Sequence, residues 1–262
     1  MPDLDTSVPH SARVYDYLLG GKDNYEVDRM AAGQLLAVYP DLVQTLRANR
    51  AFLARAVRYL VTEAGVSQFL DIGTGIPAAD NTHEVAQAAA PASRIVYVDN
   101  DPVVLAHARA LLTSTPEGAC DYLDADLREP GPILAAAART LDFTRPVAVM
   151  LVGIMQFIGD QARAGEIVGE LMAACAPGSY LTISHPASDI DAEQFGAATQ
   201  RFNEAAPPDQ QMTLRDRDAV ASLFAGLELV PPGLVRISEW HPDSAADAAG
   251  PGSLWAGIAR KP

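Results

Sequence analysis

Residues 68–75 read Gln68-Phe69-Leu70-Asp71-Ile72-Gly73-Thr74-Gly75. The apolar run 68–72 has the length and composition of a short buried strand, and glycines follow its last acid. Glycine accepts the positive φ of a tight strand-to-helix turn and lets a ligand approach the backbone, while the next helix presents unpaired N–H groups. Taken alone, the stretch reads equally as a tight turn with a capping aspartate. Its surroundings favour a sheet edge. Further apolar runs lie at 94–99, 120–126, 146–154 and 178–184, with helical patterns at 82–90, 102–113, 130–140 and 160–175 between them. Strands alternating with helices predict right-handed crossovers and a parallel sheet covered on both faces. Helices are expected at 191–205 and, led by Thr213, at about 215–225. The runs 226–230 and 253–260 predict a terminal antiparallel pair, making seven strands in all.

Upstream of this rhythm the chain reads as helical. Ser11 to Leu19 is stopped by Gly20–Gly21. Asp23 and Glu26 have capping-box spacing and open a helix to about Tyr39. A third helix, from Asp41 to Gly65, carries Leu42, Leu46, Leu53, Val57, Leu60 and Val61 on one face. This predicts an N-terminal helical lid or appendage over 1–65 and an α/β domain over 66–262.

Acids sit at successive strand ends. A dinucleotide site would set a pyrophosphate over the Gly73–Gly75 turn, where Asp71 would repel it. A ligand with an ammonium and a sulfonium but no phosphate would be attracted, and S-adenosylmethionine is such a ligand. Asp99 closes the second run 24 residues after Gly75 and can accept both ribose hydroxyls of an adenosine. Asp99 or Asp101 can also cap the helix opening at Pro102. The third run closes on Asp124 and Asp126, and an acid here can accept from an adenine amino group with Leu127 packing on the ring. Each acid alone also reads as a solvated loop charge. Three of them along one sheet edge suit a binding crevice.

Charge narrows the partners. The chain has 262 residues, 49% hydrophobic and 20% charged, with a net charge of −14. It is long enough to bury a sizeable core without disulfide or metal support. Lys and Arg supply most duplex affinity, so nucleic acid and anionic membranes are poor partners for this composition. The N-terminus shows no basic region followed by an apolar core, so no secretory signal is expected and the cytoplasm is the expected compartment. Cys120 and Cys175 lie outside any metal or redox motif and read as reduced thiols. His10, His107 and His241 show no ligand spacing, and no metal is expected.

With these residues in view, Phe69–Gly75, Val96–Pro102 and Tyr122–Leu127 resemble the class I S-adenosylmethionine-dependent methyltransferases. Ala12–Tyr25, Asn81–Ala86, Ser184–Pro186 and Gly226–Val230 are similar to methyltransferase family 19, an actinobacterial family first filed as a domain of unknown function. The resemblance covers nearly the whole chain. It implies a Rossmann-like α/β sheet of five parallel strands plus a terminal antiparallel hairpin. It also implies S-adenosyl-L-methionine as cofactor and a small-molecule acceptor. The expected cofactor-binding residues are Asp71, Gly73, Thr74, Gly75, Asn81, His83, Asp99, Asn100, Asp126, Leu127 and Val152. Asn81 and His83 read either as neighbours of the methionine end or as capping residues. Gln156 stands where relatives often carry His, so no base is assigned there. Tyr15, Lys22, Asp23, Tyr25 and His185 are the candidates for acceptor contact, the first four from a segment expected to lie over the methyl group. His185 also reads as a strand-end histidine bonded to backbone. Two other readings remain open: a protein that binds the cofactor or its demethylated product without turnover, and, disfavoured by Asp71, a nicotinamide-dependent oxidoreductase.

Overall fold

The computed structural model describes residues 7–76, 80–102, 104, 113–250 and 252–262. The helix expected over 102–113 lies for the most part outside the described residues. Strands β1 (Gln68–Ile72), β2 (Arg94–Asp99), β3 (Ala119–Asp124), β4 (Ala148–Val152) and β5 (Tyr180–Pro186) run parallel. Strand β8 (Leu254–Arg260) is antiparallel to β5 and to the short β6 (Glu228–Leu229). The order β3-β2-β1-β4-β5-β8-β6 reverses direction at β1, which opens a crevice at the carboxyl ends of β1 and β4. Among the described residues the sheet has eight strands rather than the expected seven, because β7 (Val235–Arg236) also pairs with β8. Two residues are too few to stand out as a strand from their side-chain pattern.

The strands are apolar on both faces because both faces are covered. Leu70, Val96, Val98, Val149 and Leu151 pack with Ile133 and Ala137 of α5 (Pro130–Ala137), with Ile167 and Leu171 of α6 (Gln161–Ala174), and with Val220 of α8 (Arg217–Ser222). The alternate residues Phe69, Ile95, Tyr97 and Met150 meet Phe52, Leu53, Ala56 and Leu60 of α3 (Leu42–Thr62) and Ala86 of α4 (Thr82–Ala89). Each large apolar side chain buried this way contributes about 1.5–3 kcal/mol. Trp240 is fully buried, its ring edge-on to Phe52 and Tyr59. Arg55 donates to the carbonyls of Trp240 and Ile237 and pins that turn to α3.

Helix α3 is therefore a layer of the sheet domain, although the sequence reading grouped it with the appendage. A separate apolar cluster joins α1 (Ser11–Leu18), α2 (Glu26–Val38), the start of α3, and α7 (Ala192–Ala205) through Val14, Leu18, Leu35, Leu42 and Phe195. Two caps differ from expectation. Tyr25, not Asp23, caps α2, and its N–H donates to Asp28 Oδ2 at 2.8 Å, because the Asp23 N–H is already held by Asp16 Oδ2. Asp216, not Thr213, caps α8 by accepting from the Ala219 N–H, and the Thr213 N–H donates to Gln156 O instead. Among the described residues no helix is long and apolar enough to cross a membrane. Both cysteines are free.

Candidate active site

A cavity of about 860 Å³ is lined by the carboxyl edge of the sheet and by residues between 8 and 23. Strand β1 delivers Asp71 to its floor, 6% exposed, and the carboxylate accepts from Thr82 Oγ1 at 2.6 Å at the start of α4. Burial pushes the Asp71 carboxyl up to about 6, against the Thr82 hydrogen bond that favours ionisation. The turn after β1 needs glycine twice. Gly73 has φ +75, and a Cβ there would collide with Ile154. Gly75 has φ +65, and a Cβ there would point into open space, at a position lining the cavity.

Asp99 closes β2 and organises the neighbouring turn. Its Oδ2 accepts from the Gly75 N–H and its Oδ1 from the Asp101 N–H, both at 2.9 Å. Each oxygen keeps a second lone pair for a ligand hydroxyl. Desolvation raises the Asp99 carboxyl above its ordinary value, and the two backbone donors pull it back down. Asn100 and Asp126 are bridged at 3.4 Å, and Asp126 also takes the Arg128 N–H and guanidinium. Thr74, Leu127 and Val152 complete this side of the cavity. Tyr97 and Tyr122 stack at 5.0 Å and line it too.

The described structure separates the remaining candidates. Asn81 lines the cavity, and its N–H donates to Glu84 Oε2 as its capping pattern implied. His83 does not line it: its N–H and Nδ1 both meet Tyr97 OH at 2.8 Å, which turns the ring into the protein. His185 is likewise absent from the lining and fully buried. Its Nδ1 donates to Pro186 O and its Nε2 accepts from Arg215, while burial lowers its pKa to about 4 and keeps the ring neutral. Arg215 also donates to Met155 O and Ile158 O, so this histidine braces the end of β5. Tyr15, Lys22 and Asp23 do line the cavity. Tyr25 does not; it is 39% exposed, with the Arg13 guanidinium over its ring.

Several further residues, not expected from the sequence, line the cavity. His10 Nδ1 lies 2.9 Å from Asp101 Oδ2 and 3.3 Å from the Ala12 nitrogen, which brings the start of α1 to the end of β2. That contact gives Asp101 a partner far away in sequence, beyond the capping role read for it. Arg50 of α3 donates to Asp80 O beside Asn81. Asn49 lies in the apolar stripe of α3, and its Oδ1 accepts from Ser184 Oγ at 2.6 Å. A polar residue in line with Leu42, Leu46 and Leu53 was the available signal. Gln156 Nε2 donates to Gly153 O at 2.6 Å, and no strong base occupies that position.

A family model described as S-adenosyl methyltransferase matches residues 1–262. A DUF574 family protein from Streptomyces avermitilis is 44% identical, with a TM-score of 0.94 over 98% of this chain and 99% of that one. A protein from Thermobifida fusca, described provisionally as a methyltransferase, is 41% identical, with a TM-score of 0.90 over 99% of this chain and 97% of that one. The trans-aconitate 2-methyltransferase of Acidovorax ebreus is 24% identical over 203 residues, 77% of this chain and 70% of that protein.

Proposed function

Because the chain belongs to the S-adenosyl methyltransferase family and is an S-adenosylmethionine-dependent methyltransferase, we propose that it holds its cofactor across the ends of β1, β2 and β3, under the roof of residues 8–23. The observation that carries this reading is the alignment of Asp71, Asp99 and Asp126 along one cavity wall, with open space above Gly75. Asp71 would face the ammonium of the methionine moiety, with Asn81 and Arg50 beside it. Asp99 would accept the ribose hydroxyls, and Asn100, Asp126 and Leu127 would meet the adenine. Thr74 and Val152 would pack along the chain between them.

When bound, the cofactor would supply an electrophilic methyl group on a sulfonium, held by Asp71, Asp99 and Asp126. The protein's task is alignment and exclusion of water. Tyr15, Lys22 and Asp23 close the roof over that space, and the Tyr15 hydroxyl, its pKa raised by burial, stays protonated. A small-molecule acceptor matches a cavity of this size.

Calorimetry with S-adenosylhomocysteine tests the reading. Asp99→Ala is expected to weaken binding by about 1.5–3 kcal/mol, the range for hydrogen bonds to a charged group. Unaltered affinity would remove Asp99 from the site. Gly75→Ala is expected to cost about 1–2 kcal/mol of stability through its left-handed φ, and to weaken the ligand because its Cβ enters the cavity. Amide exchange across 8–23 is expected to slow when S-adenosylhomocysteine saturates the protein, whereas unchanged exchange would make that segment a structural appendage.

A further inference from the structure

We propose that the methyl acceptor is an uncharged, largely apolar small molecule, lodged in the part of the cavity beyond β4 and β5 with a polar atom against Asn49. The proposal rests on the assignment of the acid-bearing wall to the cofactor. Ligand clefts span roughly 300–1,000 Å³, so about 860 Å³ leaves room for a second molecule beside the cofactor.

The walls of that part are Leu35 from α2, Leu42 and Leu46 from α3, Phe195 and Phe202 from α7, and Met212. Four separate segments thus converge on one apolar chamber. The polar groups behind it satisfy one another. Thr45 Oγ1 and Tyr39 OH are 3.0 Å apart, Tyr39 OH and Ser253 Oγ 2.6 Å, and Ser253 donates to Asp191. An apolar body entering here leaves Thr45, Tyr39 and Ser253 with the partners they already have.

Charge excludes the opposite class of acceptor. The described residues lining the whole cavity include seven aspartates against three arginines and one lysine. The arginines are engaged: Arg13 with Asp28, Arg50 with Asp80 O, and Arg128 with Asp126 and Asp209 O. A polycarboxylate would enter a negative field and would have to displace existing partners.

Asn49 is the positioning group. It is 5% exposed, and the Ser184 hydroxyl held by its Oδ1 fixes the amide so that Nδ2 is the donor. A Cβ at Gly153, at the end of β4, would lie 3.1 Å from Nδ2. Glycine there keeps the amide over the strand end; Nδ2 donates one hydrogen to Tyr15 OH at 3.5 Å and keeps its second for the acceptor. This donor is not a base, so its part is to orient an oxygen or nitrogen of the acceptor.

The test uses the full chain saturated with S-adenosylhomocysteine, whose own binding is measured first. Calorimetry then compares naphthalene, 2-naphthol, 1-naphthylamine and propane-1,2,3-tricarboxylate. The naphthol and the naphthylamine are expected to bind at least about tenfold more tightly than the tricarboxylate. Asn49→Ala is expected to remove the preference for 2-naphthol over naphthalene. Met212→Asp and Phe202→Ser, both at half-buried positions, are expected to weaken all three aromatic probes by about tenfold and leave S-adenosylhomocysteine affinity unchanged. Tighter binding of the tricarboxylate, or no binding of the aromatic probes to the saturated protein, overturns the proposal. Failure of S-adenosylhomocysteine to bind overturns the cofactor assignment instead, and the aromatic probes on the unliganded protein then judge the chamber alone.

Discussion

Replacing Asp71 with asparagine is expected to weaken S-adenosylhomocysteine binding about 10- to 100-fold at pH 7.5 while making the ligand-free protein more stable. On the proposed placement of the cofactor, the first effect is the loss of a buried carboxylate facing the ligand's ammonium, worth about 1.5–3 kcal/mol. The second follows from proton linkage. The Asp71 carboxyl is raised from 3.8 to about 6 in the folded protein, chiefly by burial. A raised carboxyl means that the folded state binds the proton more tightly than the unfolded state. Stability therefore falls as pH rises from about 4 to about 6, and the full cost is present above 6. That cost is at most about 3 kcal/mol, because raising a pKa by one costs the ionised form about 1.4 kcal/mol. Asparagine removes it and can still accept from Thr82. Wild-type affinity is expected to decline as pH falls through about 6, whereas the variant's pH profile stays flatter. Denaturant melts and calorimetry between pH 5 and 8 check both effects. A variant that is less stable at pH 7.5 and binds normally would place Asp71 in a purely structural role.

Asp28→Ala is expected to cause the largest loss of stability, and to confine it to the roof. Asp28 is fully buried and accepts from Arg13 Nε, the His10 N–H and the Tyr25 N–H. Arg13 is itself 3% exposed, and its Nη2 donates to Val8 O at 2.6 Å. Removing one partner of such a pair strands a buried charge, at about 3–5 kcal/mol. The damage is capped by the free energy that docks α1 and α2. Amide exchange should therefore accelerate from about residue 7 to 40 and remain slow in β1, β4 and β5. The double variant Arg13→Met, Asp28→Leu should recover most of the loss, because it leaves no charge unpaired. Uniform acceleration across the sheet would show that roof and sheet unfold as one unit.

The acids at the ends of β1 and β2, and Asp126 just past β3, were legible because a strand's end is a local feature. An apolar run, an acid and a glycine or proline lie within a few residues of each other. In a parallel sheet every carboxyl end reaches the same edge, so marking strand ends along the chain also gathers them in space. Helices α4, α6 and α7 were legible from periodicity for the same reason. His83 and His185 each kept two readings in the sequence, because adjacency to a strand or helix end does not say where a ring points. Tyr97 OH and Arg215, 14 and 30 residues away, decide that. Tyr25 was drawn into the site by the aromatic crowding around Gly20–Gly21, yet the cap at the start of α2 leaves it at the surface.

By itself, then, the sequence determined the alternation of strands and helices, the Gly73–Gly75 turn and the acids that line one edge. These depend on backbone sterics and on side-chain periods of 2 and 3.6 residues, which act over short stretches of chain. Only the tertiary structure decided that α3 is a layer of the sheet domain, that Asp28 clasps Arg13, that His10 reaches Asp101, and that Asn49 stands over Gly153 at the rim of an apolar chamber. Each of these pairs residues separated by loops or whole elements. Such pairings leave no periodic trace, because burial makes them favourable only once the distant surfaces have met.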